Sequence, residues 1–506
     1  MKTPIQTQER NRPERLFTPT DMPVTRFLSR AECDALAKRA ATMAVGGGDT
    51  AISIESTWIG NLRYARNEIT TTGDIRENDV VVIRDIMGAS DSVICTSIDD
   101  VGLEAAVRRA ERKLRLKKER GERVFREHLT SVDVGTTYGQ SLDTKGSKKE
   151  SELSDALEAL MQTEEEISQP KIFFDTTYGL GAPERVKEVG PLITAARQAN
   201  LRAAGYIQVS AHGRAVINTV GRALYYPYTQ AQFSVTVRDP KGTSSGWAGI
   251  DFNDWSRINP MQLTEIAMDK CLRSRNAVAV EPGRYTTILE PQAVSDIFSS
   301  VVFNIWRLGA ENGQGPFADP NRKGWTKIGQ RVLDPRITVS ADPMDPDLGF
   351  PPFDRSGYAY HAVDWIKDGV LKELAYQRWY AIKALGINRG LPSSGAYRMS
   401  GGNSSIEDMI ATTKRGLLVT RFSGVQVIDR NSLMSVGYTR DGLWLIENGK
   451  ISKPVKNFRF MESPLFIFNN LEELGTPVRV FRPGYPTVVP PAKVRDFNFV
   501  SLSEAV

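Results

Sequence analysis

Histidine and cysteine are scarce in this chain: its 506 residues include three of each. The cysteines, Cys33, Cys95 and Cys271, are scattered and odd in number. That argues against a disulfide framework and for a reducing, cytoplasmic setting. The histidines, His128, His212 and His361, lie far apart, and no two stand three to five residues from each other. A zinc site normally recruits one such close pair, because a single helix or turn then fixes two ligands. Packed or surface histidines are therefore the expectation. No stretch approaches the roughly eighteen consecutive apolar residues of a membrane-crossing helix. The first 25 residues carry Arg10, Arg12 and Arg15 and lack an apolar run, so they read as a flexible tail rather than a secretory signal. Glu9, Glu14 and Asp21 speak against a transit peptide. A strong excess of one charge is also missing. A net charge of +5 over this length gives no reason to expect a nucleic-acid partner.

What is present is the texture of a soluble globular protein, 41% apolar and 25% charged. The length implies two domains. Ser29-Arg30-Ala31-Glu32 forms a capping box. It opens a helix with Cys33, Leu36, Ala37, Ala40, Ala41 and Ala44 at helical spacing, and Gly46-Gly47-Gly48 ends it. Strands are read at 50–57, 62–71 and 79–84. A long helix over 99–118 carries the stripe Leu103, Val107, Ala110 and Leu114. Its charged continuation to Glu127 pairs Glu111 with Arg115, Glu119 with Arg123 and Glu122 with Arg126 at i,i+4, which reads as a solvated face. A polar loop at 131–149, a helix at 150–166 and a helix at 183–201, interrupted at Gly190-Pro191, compose a helical insert over about 118–200. From Ala203 short alternating runs read as a β-meander (205–211, 214–218, 223–227, 232–238 and 247–252), with a turn at Asp239-Pro240-Lys241-Gly242. A helix from Asn259-Pro260 to Arg275, a strand at 285–290 and a helix at 291–308 follow. Residues 331–500 are rich in short strands, Gly and Pro. The fold class read from this order is α+β: an N-terminal α/β domain with an antiparallel sheet and helices over 26–280, then a C-terminal β-rich domain over 281–506.

Two short motifs invite chemistry and are turned aside by their context. Gly242-Thr243-Ser244-Ser245-Gly246 matches the G-x-S-x-G of a nucleophile elbow. An elbow needs a strand before the serine and a helix after it, whereas a strand follows here, so a hairpin turn is the expectation. Gly179-Leu180-Gly181 lacks the third glycine of a dinucleotide loop, and no parallel βαβ pattern surrounds it.

An ordered set of segments carries a family resemblance. It includes Gly205-Tyr206, Ile217-Asn218-Thr219-Val220-Gly221 and Thr243-Ser244-Ser245-Gly246-Trp247. Pro282-Gly283-Arg284-Tyr285-Thr286-Thr287-Ile288-Leu289-Glu290-Pro291 follows, then Asp342-Pro343, Phe353-Asp354-Arg355-Ser356-Gly357 and Ile366-Lys367-Asp368-Gly369-Val370-Leu371. The last members are Tyr380-Ala381-Ile382-Lys383-Ala384-Leu385-Gly386, the run Arg415 to Gly424, and Leu445-Ile446-Glu447-Asn448-Gly449-Lys450-Ile451 with Pro454-Val455. In this order, across about 28–480, they resemble the TldD/PmbA family of metalloprotease-related proteins, also called modulators of DNA gyrase.

The zinc-bearing type of that family carries His-Glu-x-x-x-His on a central helix and a further ligand, usually cysteine, near the carboxyl end. The two imidazoles hold Zn²⁺ while the glutamate acts as general base on bound water. The helix matching it here reads Ile297-Phe298-Ser299-Ser300-Val301-Val302-Phe303-Asn304. Ser299 and Asn304 stand at the histidine positions and Ser300 at the glutamate. Arg482-Pro483-Gly484-Tyr485 stands where the zinc type has its cysteine, and no His-Glu pair occurs anywhere in the chain.

The resemblance implies a zinc-free, TldE/PmbA-like subunit without catalytic residues, metal or cofactor of its own. It would pair with a zinc-bearing TldD-like subunit and help hold an extended or unfolded peptide, with no membrane or nucleic-acid partner. Leu417 to Phe422 is the expected edge strand for peptide addition, with Asn403, Arg421 and Ser423 as substrate-binding candidates. Two alternatives stay open: a peptidase with a non-standard metal site drawing on His128, His212, His361 and acids, and a homodimeric peptide-binding protein without proteolysis.

Overall fold

The computed structural model describes residues 26–86, 89–95, 97–120, 167, 169–219, 221–386 and 390–503. The expected tail, and the loop and helix expected at 131–149 and 150–166, lie outside the described residues.

The N-terminal half is built on one antiparallel sheet of six long strands. These are β1 (Asp49–Ala65), β2 (Glu68–Ile86), β3 (Ala89–Cys95), β4 (Arg202–Asn218), β5 (Ala223–Arg238) and β6 (Ser245–Phe252), in the order β3-β2-β1-β4-β5-β6. Four helices cover one face. Helix α1 (Arg30–Met43) starts on the capping box read from Ser29 and Glu32. With α2 (Asp100–Glu119) it buries Cys33, Leu36, Leu103 and Val107 against Ile52, Ile54, Val80 and Val82. Helices α3 (Ala182–Gln198) and α4 (Pro260–Arg273) bury Val189, Leu192, Ala196, Ala267 and Cys271 against Ile207, Val209, Phe233 and Val235. The opposite face meets a loop of the C-terminal half: Val216, Leu224, Tyr226 and Tyr228 pack on Phe353 and Ala359.

Several local expectations are corrected. The strand read at 62–71 is a hairpin, because Arg66 and Asn67 both take left-handed backbone (φ 53° and 64°) between paired Ala65 and Glu68. Asn67 is held there from outside the hairpin, donating to the Leu201 carbonyl at 2.8 Å and accepting from the Ala203 N–H at 2.7 Å. The meander runs at 205–218 and 223–238 are two unbroken strands, β4 and β5. Helix α3 passes through Gly190-Pro191 without a break. The ion pairs of Glu111 are with Arg84 and Arg108 rather than with Arg115.

The C-terminal half holds a six-stranded sheet of β8 (Val339–Ala341), β9 (Val363–Lys367), β10 (Val370–Leu371), β11 (Tyr397–Met399), β17 (Val478–Arg479) and β18 (Thr487–Val489). Its larger element is a barrel. Strands β7 (Gly283–Leu289), β12 (Arg415–Asp429), β13 (Met434–Glu447), β15 (Phe458–Glu462) and β19 (Ala492–Leu502) pair in the cycle β12-β7-β19-β15-β13, which closes because β12 also pairs with β13. Strands β14 (Lys450–Pro454) and β16 (Leu471–Leu474) flank it on β13 and β19. Phe422, Phe458, Phe460, Phe497 and Phe499 fill the interior with ring centroids 4.7–5.6 Å apart. The α+β class with a β-rich C-terminal part is the architecture observed.

Candidate functional site

Helix α5 (Pro291–Val302) lies on this barrel. Pro291 occupies its first turn, where a missing N–H costs nothing. Ala293, Val294, Ile297, Phe298, Val301 and Val302 give it a wide apolar stripe, buried against β12 and the core around Phe468 and Tyr397. The helix ends six residues before the expected Leu308. Ile305 is drawn into the core, Trp306 bridges to Ala375, and the Arg307 N–H donates to the Ala375 carbonyl at 2.9 Å. Asn304 therefore sits in the turn that leaves the helix.

The three side chains that the resemblance matches to the family's zinc motif turn back on their own helix. Ser299 Oγ donates to the Ser295 carbonyl, Ser300 Oγ to that of Ile297 at 2.9 Å, and Asn304 Nδ2 to that of Ser300 at 2.8 Å. These neutral groups do not fit zinc, which takes thiolate, imidazole or carboxylate. The carboxyl-end segment does reach the same place. Phe303 meets Tyr485 edge-on at 5.0 Å, and the Arg482 guanidinium lies 5.0 Å above the Phe303 ring. Among the described residues no group of three or more His, Cys, Asp or Glu side chains converges in a way that could hold a metal ion.

One turn before Ser299, a charged group appears that the sequence reading passed over. Asp296 accepts from Gln292 Nε2 at 2.9 Å and from the Phe422 N–H at 2.8 Å. Burial pushes its carboxyl up to about 6, in spite of these hydrogen bonds and of Arg421 and Arg482 nearby. Such a group gives or takes a proton close to neutrality. The available signal was an acid alone in an otherwise uncharged helix.

The surrounding shell joins both halves of the molecule. Arg421 stacks 4.5 Å above Trp247 of β6, with its Nε 3.2 Å from Asp441. Asp441 also accepts from Ser245 Oγ at 2.7 Å. Asp251 of β6 holds the buried Arg479 at 2.5 Å and accepts from the Arg482 N–H. Together these residues set guanidinium groups, a carboxyl and aromatic faces side by side.

The segment Leu417 to Phe422 is not an open edge. Leu417, Leu418 and Val419 pair with Thr287, Ile288 and Leu289 on one side and with Leu445, Trp444 and Leu443 on the other, and Asp296 takes the Phe422 N–H. Barrel closure removes the edge. Of the binding candidates, Arg421 faces the α5 cluster and Ser423 follows it on β12, opposite Tyr438. Asn403 sits in the exposed loop after β11, where its neighbours Gly402 and Ser404 donate to the Gly475 and Leu474 carbonyls. No hydrogen bond or ion pair joins it to the other two.

His212 lies on the sheet face away from the helices. It stacks on Tyr228 at 4.3 Å and contacts Thr57 and Ser210 at 3.0 and 2.8 Å. Beside it, burial pushes the Glu55 carboxyl up, but His212, Arg214 and Tyr228 outweigh that and hold it down at about 2. His128 lies outside the described residues. Ser244 is buried in the hairpin turn between β5 and β6, 3.6 Å from Cys271 Sγ, so the G-x-S-x-G is a turn and not an elbow.

Residues 282–501, which hold α5 and the barrel, match the model of the PmbA/TldA metallopeptidase C-terminal domain. A TldD metalloprotease homologue from Buchnera aphidicola is 26% identical over 277 residues, 50% of this chain and 56% of that protein. Another, from Haemophilus influenzae, is 30% identical over 176 residues, 31% of this chain and 36% of that protein. Over residues 282–501 the chain is similar to the TldD/PmbA family. It aligns with about half or less of the length of these curated relatives. The fold carries further than the sequence. TldE from Thermococcus kodakarensis superposes with a TM-score of 0.67 at 17% identity, over 92% of this chain and 99% of that one. A Bacteroides thetaiotaomicron protein named as a modulator of DNA gyrase gives 0.72 at 15% identity, over 93% of this chain and 99% of that one. In this fold, then, the end of α5 and the segment Arg482 to Tyr485 come together. No helix among the described residues is long and apolar enough to cross a membrane.

Proposed function

We propose that this chain is the zinc-free, TldE/PmbA-like subunit of a heterodimeric metallopeptidase, cytoplasmic, and that it contributes structure and peptide binding to the processing of unfolded peptides. The observation that carries this reading is the state of α5: Ser299, Ser300 and Asn304 spend their polar atoms on helix carbonyls. Catalysis is then supplied by a TldD-like partner holding the zinc. The chain's own share is the cluster beside α5. Arg421 and Arg482 meet peptide carbonyl or carboxyl groups there, and Phe303 and Tyr485 meet side chains. A peptide laid along β12 by strand addition forms no part of this reading, because barrel closure covers that edge.

Elemental analysis and co-purification test it together. The purified chain is expected to carry no stoichiometric zinc and no peptidase activity alone, and to gain activity with a homologue bearing His-Glu-x-x-x-His. Stoichiometric zinc on the isolated chain sinks the zinc-free reading. Failure of any such homologue to associate sinks the heterodimer.

A further inference from the structure

The turn that carries the unused G-x-S-x-G lines a spacious cleft. This opening, of about 600 Å³, lies between the β5–β6 turn, the carboxyl end of α4, β13 and the segment Val455 to Asn457. The volume falls in the range of small-ligand sites. Lys241 and Lys456 stand on its walls, and neither ammonium forms an ion pair with a described residue. The single carboxylate of the lining, Asp441, is already engaged on both oxygens, one by Ser245 and the other by Arg421. The carboxyl end of α4 brings about half a negative charge, which two full lysine charges outweigh. Ser274 at that helix end lines the cleft with a buried hydroxyl that has no hydrogen-bond partner. A buried hydroxyl left unpaired is costly, and a ligand oxygen would satisfy it. Asn276 and Asn457 add amides to the wall.

We propose that this cleft binds an oxyanion-bearing ligand, a carboxylate or a phosphate, held by Lys241 and Lys456 with the Ser274 hydroxyl as a further donor. Charge-assisted hydrogen bonds from an ammonium to either group are short and strong, and the lining offers no second unpaired acid to repel them. The cleft shares Ser245 and Asp441 with the shell around α5, but its donors Lys241, Lys456 and Ser274 are not part of that shell, so a chain unable to hold a peptide at α5 still binds phosphate here.

The test uses the full chain and three probes: inorganic phosphate by calorimetry, and dansyl-tetraalanine as free acid and as carboxyl-terminal amide by fluorescence anisotropy. Binding of phosphate identifies a phosphate ligand. A preference of roughly tenfold or more for the free acid over the amide, one charge-assisted contact's worth, identifies a peptide carboxylate. In either case K241Q/K456Q is expected to abolish the effect without lowering the melting temperature, while K241R/K456R retains it. The proposal is overturned if phosphate does not bind and acid and amide bind alike. Persistence of the effect in K241Q/K456Q overturns it equally.

Discussion

Asp296 is a carboxyl placed where charge is disfavoured, and that gives a pH dependence with a definite sign. Its folded value, raised to about 6 by burial, lies above its ordinary 3.8. The stability it contributes is therefore present below the ordinary value and lost as pH rises through about 6. The full difference is at most about 3 kcal/mol, since each pKa unit is worth about 1.4 kcal/mol, and the group's partial contact with solvent reduces it. Asp296→Asn keeps the shape and removes the ionisation. In urea unfolding, the native chain should lose stability relative to this variant between pH 4 and pH 8. Parallel pH profiles would show that the carboxyl ionises as in water. Ser299 and Ser300 were singled out only through the family resemblance; the apolar stripe of α5 made the helix legible. Asp296 was not recognised, because its importance comes from Phe422, Arg421 and Arg482, which are 125 or more residues away in the chain.

At the scale of elements, local signals were readable where the chain supplies its own partner. The capping box at Ser29 and Glu32 and the turn at Asp239-Pro240-Lys241-Gly242, closed by the Gly242 N–H on the Asp239 carbonyl at 2.9 Å, are of that kind. They failed where a distant partner decides. Arg66-Asn67 makes a turn because residues near 201–203 hold the Asn67 side chain. Helix α3 survives Pro191 because Val189, Leu192, Ile193 and Ala196 are buried on the sheet. The proline itself is exposed and withholds one helix hydrogen bond. Pro191→Ala should then raise stability by about 1–3 kcal/mol, read as a higher melting temperature. An unchanged or lower value would mean that the helix is bent to suit the proline.

At the scale of the molecule, several ion pairs cross the junction between the halves, and among the described residues Asp251 with Arg479 is the most buried of them. Removing one partner leaves a charge without its counterion in a place water hardly reaches. Arg479→Ala should therefore cost about 3–5 kcal/mol. It should also disturb the α5 site, because Asp251 holds the Arg482 backbone as well. Denaturant unfolding followed by tryptophan fluorescence measures the first effect. An apolar pair, Asp251→Leu with Arg479→Met, should recover much of the loss, whereas a loss that persists in the pair would place the cause elsewhere.

The sequence by itself determined the composition class, the α+β order of elements, the family resemblance and the absence of any His-Glu pair. These rest on local periodicity, on turn chemistry and on which side chains are present at all. Only the tertiary structure decided that Leu417 to Phe422 is closed into a barrel, that Asn403 stands apart from Arg421, and that Asp296 lies near two arginines distant from it in the chain. Each of those depends on strand pairing or burial between segments far apart in the chain. A run such as Leu417-Leu418-Val419 reads the same whether its outer hydrogen bonds meet water or Thr287, Ile288 and Leu289 of β7.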